Sequence, residues 1–233
     1  MIIVENLTKV YSSTTVLDIA DLNIKKGESF GLVGNNGAGK TTFFRLVLDL
    51  IRATSGAVFS EGQDVSKSTS WKYYTGSYLD QRFLIDFLTP EEYFNFLRSI
   101  HGLSAGDLDK FYNEYEPFFN DEILGKKKYI RDLSKGNQQK VGIAAALMKT
   151  PDILVLDEPY NGLDPSTQIR LINMLNHLKD TKQITLLISS HDLKHVSEVC
   201  DRIAILEQGK IIHDLKTSPD ILKKLESYFA VEV

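Results

Sequence analysis

Two short stretches of this chain carry residue types suited to handling phosphate. "GNNGAGKTT" fits G-x-x-x-x-G-K-[ST] from Gly34 to Thr41, and "ILVLDEP" ends an apolar run, Ile153 to Leu156, on the adjacent carboxylates Asp157 and Glu158. In the first, the loop Gly34, Asn35, Asn36, Gly37, Ala38 and Gly39 has glycines where backbone N–H groups must turn inward around a β-phosphate. Lys40 then reaches β- and γ-oxygens, the Thr41 hydroxyl ligates Mg²⁺, and Thr42 adds an α-phosphate contact. In the second, a buried parallel strand delivers its acids at the C-terminal end, where ligands sit in open α/β sheets. Side chains alternate along a strand, so the two acids are expected to do different work. Asp157 is assigned to the Mg²⁺ shell through water, and Glu158 to the attacking water as general base or orienter. Each stretch alone also reads as a Gly-rich turn or a solvated strand end. Together they favour a nucleotide site.

"LSKGNQQK", Leu133 to Lys140, is a third candidate, because a Ser and a Gly open an Ala-rich helix there. A helix N-terminus presents unpaired N–H groups and the positive end of the dipole, which suits an anion. The sequence thus holds two phosphate-binding stretches far apart in the chain.

These residues need elements to position them. β-type alternation runs through Ile2-Ile3-Val4, Val16-Leu17, Leu22 to Ile24 and Phe30 to Val33, with Gly27 and Gly34 as punctuation. Thr89-Pro90-Glu91-Glu92 has the form of a helix N-cap with Pro at the first position and Glu at the third. A helical segment is expected from about Thr89 to Met148, and the aromatics of the insert, among them Phe83, Phe87, Tyr93, Phe94, Phe111, Tyr115 and Phe118, read as core. Strand character returns at 153–156, 184–188 and 203–206 with helical stretches between, the rhythm of a parallel sheet. The helical part, about 83–148, therefore reads as an insertion into one α/β domain spanning 1–233. From Ser218 onward the sequence predicts a Pro-started amphipathic helix.

Composition narrows the function classes. The 233 residues are 42% hydrophobic and 25% charged, an ordinary globular balance. A formal net charge of −4 gives no general attraction to nucleic acid, and Lys126-Lys127-Lys128 reads as a solvated run. Cys200 is the single cysteine, so no intrachain disulfide forms, which fits a reducing cytoplasm. No uninterrupted apolar run approaches the roughly 20 residues of a membrane helix.

"GNNGAGKTT", "LSKGNQQK", "ILVLDEP", "NGLD" and "LLISSHDL" occur in the order found in ATP-binding-cassette (ABC) ATPases, and the likeness extends from about Val4 to Gly209. The chain resembles the stand-alone nucleotide-binding subunit of a bacterial ABC transporter. That resemblance implies an α/β fold, a P-loop NTPase core with an N-terminal antiparallel β subdomain and an inserted α-helical subdomain. It implies ATP and Mg²⁺ as ligands, and it gives several single residues a role. Tyr11 resembles the aromatic that stacks on adenine, with Val16 beside it. Gln81 resembles the glutamine that contacts Mg²⁺ and couples to the membrane partner. Asn161-Gly162-Leu163-Asp164 resembles the turn at the dimer interface, and His191 the switch histidine on the γ-phosphate. His101, His177, His195 and His213 read as surface or structural residues.

The commonest family form of the third stretch is Leu-Ser-Gly-Gly-Gln; here Lys135 and Asn137 depart from it while Ser134 and Gly136 remain. In this family two cassettes face head-to-tail, and the signature of one completes the ATP site of the other. A chain with one copy of each motif is thereby expected to pair with a second cassette, most economically itself. The implied function is an ATPase subunit driving a separate integral-membrane permease, docked near Gln81 and held at the inner face of the cell membrane. An ABC ATPase working on soluble partners is the alternative. Nucleic acid is not an expected partner.

Overall fold

The computed structural model describes residues 1–218, so the expected C-terminal helix lies outside the described residues apart from Ser218. Among the described residues, ten strands form two sheets. The first is antiparallel, in the order β2 (Thr14–Ile24), β1 (Ile2–Tyr11), β4 (Ser55–Ser60) and β5 (Gln63–Asp64). The second runs β10 (Lys210–Lys216), β9 (Arg202–Glu207), β3 (Ser29–Val33), β8 (Thr185–Ser190), β7 (Ile153–Asp157) and β6 (Thr75–Tyr78). Its neighbours are parallel except at the β9–β10 hairpin.

Every residue of β3, β7 and β8 is buried, which is why these strands read as unbroken apolar runs. The period-two pleat then divides each strand between two cores. Ile153, Val155 and Leu187 join Phe30, Phe43 and Phe44 on the face covered by α1 (Lys40–Val47) and the antiparallel sheet. Leu154, Leu156, Leu186 and Ile188 face the other core, built with α2 (Pro90–His101), α3 (Ala105–Phe119), α4 (Lys135–Leu147) and α5 (Pro165–Lys182). Each such buried aliphatic side chain contributes roughly 1.5–3 kcal/mol.

The N-cap expected at Thr89 is present as a reciprocal pair. The Glu92 N–H donates to Thr89 Oγ1 at 3.3 Å, and the Thr89 N–H donates to Glu92 Oε2 at 2.8 Å. Two expectations about this region need correction. The helical segment is not continuous to Met148: α3 stops at Asn120 and Asp121, whose φ values of 54° and 57° are left-handed, and a short 3₁₀ turn at Ile130–Asp132 is the one helical piece before α4. Asn and Asp tolerate that conformation, which ends the hydrogen-bond ladder. Phe83 and Phe87 are also not core. They are 54% and 62% exposed, because they sit in the connection ahead of the Thr89 cap, where the three-residue 3₁₀ turn ending at Phe83 is too short to turn a face inward.

The parallel sheet sets up the site. Because β3, β7 and β8 run the same way, the loops after Val33, Asp157 and Ser190 all emerge at one edge.

Candidate active site

The loop after β3 is held by close backbone approach. A Cβ at Gly34 would lie 2.2 Å from the Leu206 carbonyl oxygen, and Gly39, with φ +112°, has the Val16 carbonyl oxygen 2.9 Å from where its Cβ would be. No other residue fits either place without moving the backbone. Asn35, Asn36 and Gly37 form the exposed crest, while Ala38 is buried and its carbonyl accepts from the Gly209 N–H at 2.9 Å.

Lys40, the first residue of α1, is only 6% exposed. Its ammonium donates to the Gly34 carbonyl at 2.6 Å and to that of Asn35 at 3.3 Å, and lies 3.1 Å from Glu158 Oε1. Thr41 Oγ1 donates to Asp157 Oδ2 at 2.5 Å, and Thr42 is half-buried beside it. The loop and the acidic strand end, 116 residues apart between Thr41 and Asp157, thus form one cluster.

The two acids reach it differently from the expected alternation. Asp157 is the last residue of β7, whereas Glu158 lies past the strand with φ +48°, a left-handed backbone uncommon for Glu. That twist brings both carboxylates onto consecutive residues of α1 instead of opposite faces. Burial pushes the Asp157 carboxyl above its usual range, against hydrogen bonds from Ser189 and Thr41 that favour the anion. Glu158 Oε2 lies 2.9 Å from His191 Nδ1, with Glu158 19% and His191 47% exposed.

Two further residues, inside the quoted stretches "LLISSHDL" and "LSKGNQQK" but given no role there, hold this geometry. The Glu158 N–H donates to Ser189 Oγ at 2.9 Å, and Ser189 Oγ also donates to Asp157 Oδ1. Gln139, buried on α4, donates from Nε2 to the carbonyls of Glu158 at 3.1 Å and Pro159 at 2.5 Å. The available signals were a glutamine on the buried face of an Ala-rich helix and a serine inside an apolar strand.

The other expected residues are placed as follows. Gln81 opens a 3₁₀ turn and, with Gln139, Asp157 and Glu158, lines a cavity of about 290 Å³. Val16 reaches the loop through its carbonyl at Gly39. Tyr11 closes the β1–β2 hairpin opposite Thr14 and is 46% exposed, with the Lys9 ammonium 4.7 Å from its ring centroid, so it is not a core aromatic. Ser134 caps α4, accepting from the Asn137 N–H at 3.2 Å, and Ser134 and Lys135 are exposed. Among the described residues, no hydrogen bond or ion pair joins Ser134–Asn137 to the loop Gly34–Thr42. Gly136 instead abuts the turn at 161–164, the Gly162 carbonyl oxygen lying 2.9 Å from where a Cβ would stand. Asp164 is the N-cap of α5, both of its oxygens accepting from Ser166 and Thr167, which holds its carboxyl well below the usual range.

Comparison with known proteins gives a consistent picture. The family model described as "ABC transporter" matches residues 17–161. The bacitracin transport ATP-binding protein BcrA of Enterococcus faecalis is 33% identical over 235 residues, covering 98% of this chain and 73% of that protein. The lantibiotic transport ATP-binding protein SrtF of Streptococcus pyogenes is 33% identical over 231 residues, covering 98% and 96%. Among solved structures, the dimeric post-hydrolysis state of the ATP-binding cassette MJ0796 bound to ADP and Pi superposes with a TM-score of 0.83 at 25% identity, covering 94% of this chain and 99% of that one.

Proposed function

The chain belongs to the ABC transporter family of ATP-binding proteins, and from that premise we propose how its residues divide the work. It is the ATP-binding and ATP-hydrolysing subunit of a transporter, and the observation that carries the assignment of roles is the convergence of Lys40 on Glu158 and of Thr41 on Asp157. A phosphate cradled by Gly34–Gly39 meets the Lys40 ammonium and the N-terminus of α1 together.

Thr41 and Asp157 offer a hydroxyl and a carboxylate oxygen in contact, the hard donor set that Mg²⁺ takes from protein when phosphates and water supply the rest. Gln81, on the same cavity as Asp157, would hold the ion with them. Held there, the ion would supply positive charge to neutralise what develops on the phosphates. Glu158 accepts the proton of the attacking water as its oxygen bonds to the γ-phosphorus. The bond from that phosphorus to the bridging oxygen breaks, and ADP and phosphate result. His191, against Glu158 Oε2, reaches the same γ-phosphate. Tyr11 stacks on adenine, with Val16 beside it.

Two copies pair head-to-tail, so that Ser134, Lys135, Gly136 and Asn137 of one chain close on the nucleotide of the other, with Asp164 at the contact. Exposure of Ser134 and Lys135 at the start of α4 supports that arrangement. The exposed Phe83 and Phe87 near Gln81 support docking of an integral-membrane permease on this face, which holds the subunit at the inner face of the cell membrane. Among the described residues, no helix is long and apolar enough to cross a membrane. The described residues, 1–218, belong to one cassette domain with a helical subdomain inserted at about 83–148.

The test is phosphate release from ATP by the purified chain, with its permease if turnover requires it. Wild type should turn over with Mg²⁺ and stop on chelation, and Lys40→Ala should be silent. Equal turnover by Lys40→Ala would remove the loop from the mechanism.

A further inference from the structure

Beyond Glu158 and His191, the strand ends that carry them are joined by a second contact. Tyr160 lies two residues after Glu158 and His195 four residues after His191. Their rings are stacked, with centroids 4.7 Å apart and planes at 30°. We propose that the Tyr160–His195 stack is a positioning pair that sets the distance between Glu158 and His191, and so the alignment of the attacking water. The proposal rests on the assignment of Glu158 and His191 made above and adds two residues to it.

The physical case begins with the sheet. β7 and β8 are in parallel register up to Asp157 and Ser189, and beyond that point no ladder hydrogen bond ties the chains together. Glu158 to Leu163 turns away, and His191 leads into the short α6 (Leu193–Ser197), capped by Asp192. Glu158 Oε2 bridges the gap, accepting from the His191 N–H at 3.4 Å and lying 2.9 Å from His191 Nδ1, but His191 is half exposed, and an exposed polar contact is weakly held. Tyr160 and His195 bridge the same gap from a packed position. Tyr160 is 3% exposed, in the core cluster that also holds Leu163, Leu193 and Val196, and His195 is 19% exposed. Ser189 and Gln139 pin the Glu158 backbone, and the stack adds a packed restraint between that turn and the one that carries His191.

The ring face, not the hydroxyl, does the holding. Tyr160 Oη is buried without a hydrogen-bond partner among the described residues, so it adds nothing to fix the ring. His195 Nδ1 lies 3.6 Å from Asp192 Oδ2, and that carboxylate also caps α6 through the Lys194 N–H at 2.8 Å. The imidazole thus lies beside the turn that carries His191. Tyr160 is anchored on its own side by its carbonyl, which accepts from the Leu163 N–H and from Gln168 Nε2, both at 3.3 Å.

The test separates stacking from mere filling of space. His195→Ala and Tyr160→Leu should each lower kcat about fivefold, the scale of a lost stacked aromatic pair, with ATP affinity changed less than twofold. His195→Phe and Tyr160→Phe keep a ring face and should stay within twofold of wild type. The double variant Tyr160→Leu/His195→Ala should be no slower than either single one. Losses that multiply in the double variant, or a His195→Phe as slow as His195→Ala, would overturn the proposal. A second readout does not depend on turnover. In NMR spectra of the histidine ring nitrogens, the His191 Nδ1 resonance should move in His195→Ala and Tyr160→Leu but not in the two Phe variants. A His191 resonance unmoved in all four refutes the positioning role even if the chain hydrolyses no ATP. Hydrolysis insensitive to Glu158→Gln would instead defeat the assignment on which it rests.

Discussion

Lys40 Nζ stands 3.1 Å from Glu158 Oε1 and 2.6 Å from the Gly34 carbonyl oxygen, so the residue meant to reach phosphate is held by the residue meant to handle water. The two are mutually dependent. A γ-phosphate drawing on Lys40 competes with Glu158 for the ammonium, and the carboxylate so released is free to take a proton.

Glu158→Gln should slow phosphate release by at least the roughly hundredfold typical of losing general-base catalysis. It should also tighten ATP binding, because the neutral amide competes less for Lys40 and repels phosphate less. Single-turnover phosphate release beside equilibrium nucleotide binding checks both halves. Turnover near that of wild type would take Glu158 out of the mechanism.

Asp157 should cost the fold stability at neutral pH. Burial raises its folded pKa above the unfolded value. The folded chain therefore holds that proton more tightly, and the group's favourable contribution, complete below the unfolded pKa, is lost as pH rises through the folded one. Asp157→Asn is expected to melt at a higher temperature than wild type at neutral pH, with the gain shrinking as pH falls into the carboxylate range, while Mg²⁺-dependent turnover is lost. Thermal melts across that range decide it. A gain that grows on acidification would reverse the sign.

Tyr11 is 46% exposed with Lys9 over its ring, so removing the ring leaves the core intact. Tyr11→Ala should weaken ATP binding by on the order of 1 kcal/mol, about fivefold, at nearly unchanged melting temperature. Tyr11→Phe and Tyr11→Trp retain the π-face and should bind as wild type does. GTP should bind nearly as well as ATP, since stacking reads no base edge. Equal affinity of wild type and Tyr11→Ala would leave adenine to be held elsewhere.

Mixing two inactive variants tests the head-to-tail pairing. Lys40→Ala disables the phosphate loop, and Ser134→Arg blocks the signature. In a mixed dimer, the intact loop of the Ser134→Arg chain meets the intact signature of the Lys40→Ala chain, rebuilding one site. Unbiased pairing makes about half the dimers mixed, so ATPase activity should return on mixing. Silence from demonstrably mixed dimers, where a linked dimer with one intact site does turn over, would sink the arrangement.

Much of the site was legible because its ingredients are local. A Gly-rich loop between an apolar strand and a helix, and acids at the end of a buried run, declare themselves within a few residues. The βαβ rhythm then requires those strand ends to lie on one edge of a parallel sheet. The cap at Thr89 was equally readable, since both of its hydrogen bonds join residues three apart.

What the tertiary structure alone decided depends on contacts between distant residues, which local periodicity does not encode. Strand alternation placed Asp157 and Glu158 on opposite faces. The left-handed turn at Glu158, pinned by Ser189 from β8 and Gln139 from α4, put both beside α1. Phe83 and Phe87 looked like core by type and proved exposed, because burial follows a residue's place on an element and these precede theirs. His195 had no motif to mark it, and only the fold laid its ring on Tyr160. The sequence determined which chemistry the chain carries and on which elements, since those are set by residue type and spacing. The distances between those groups came from packing, since the hydrogen bonds and ring contacts that fix them close loops of some thirty to more than a hundred residues.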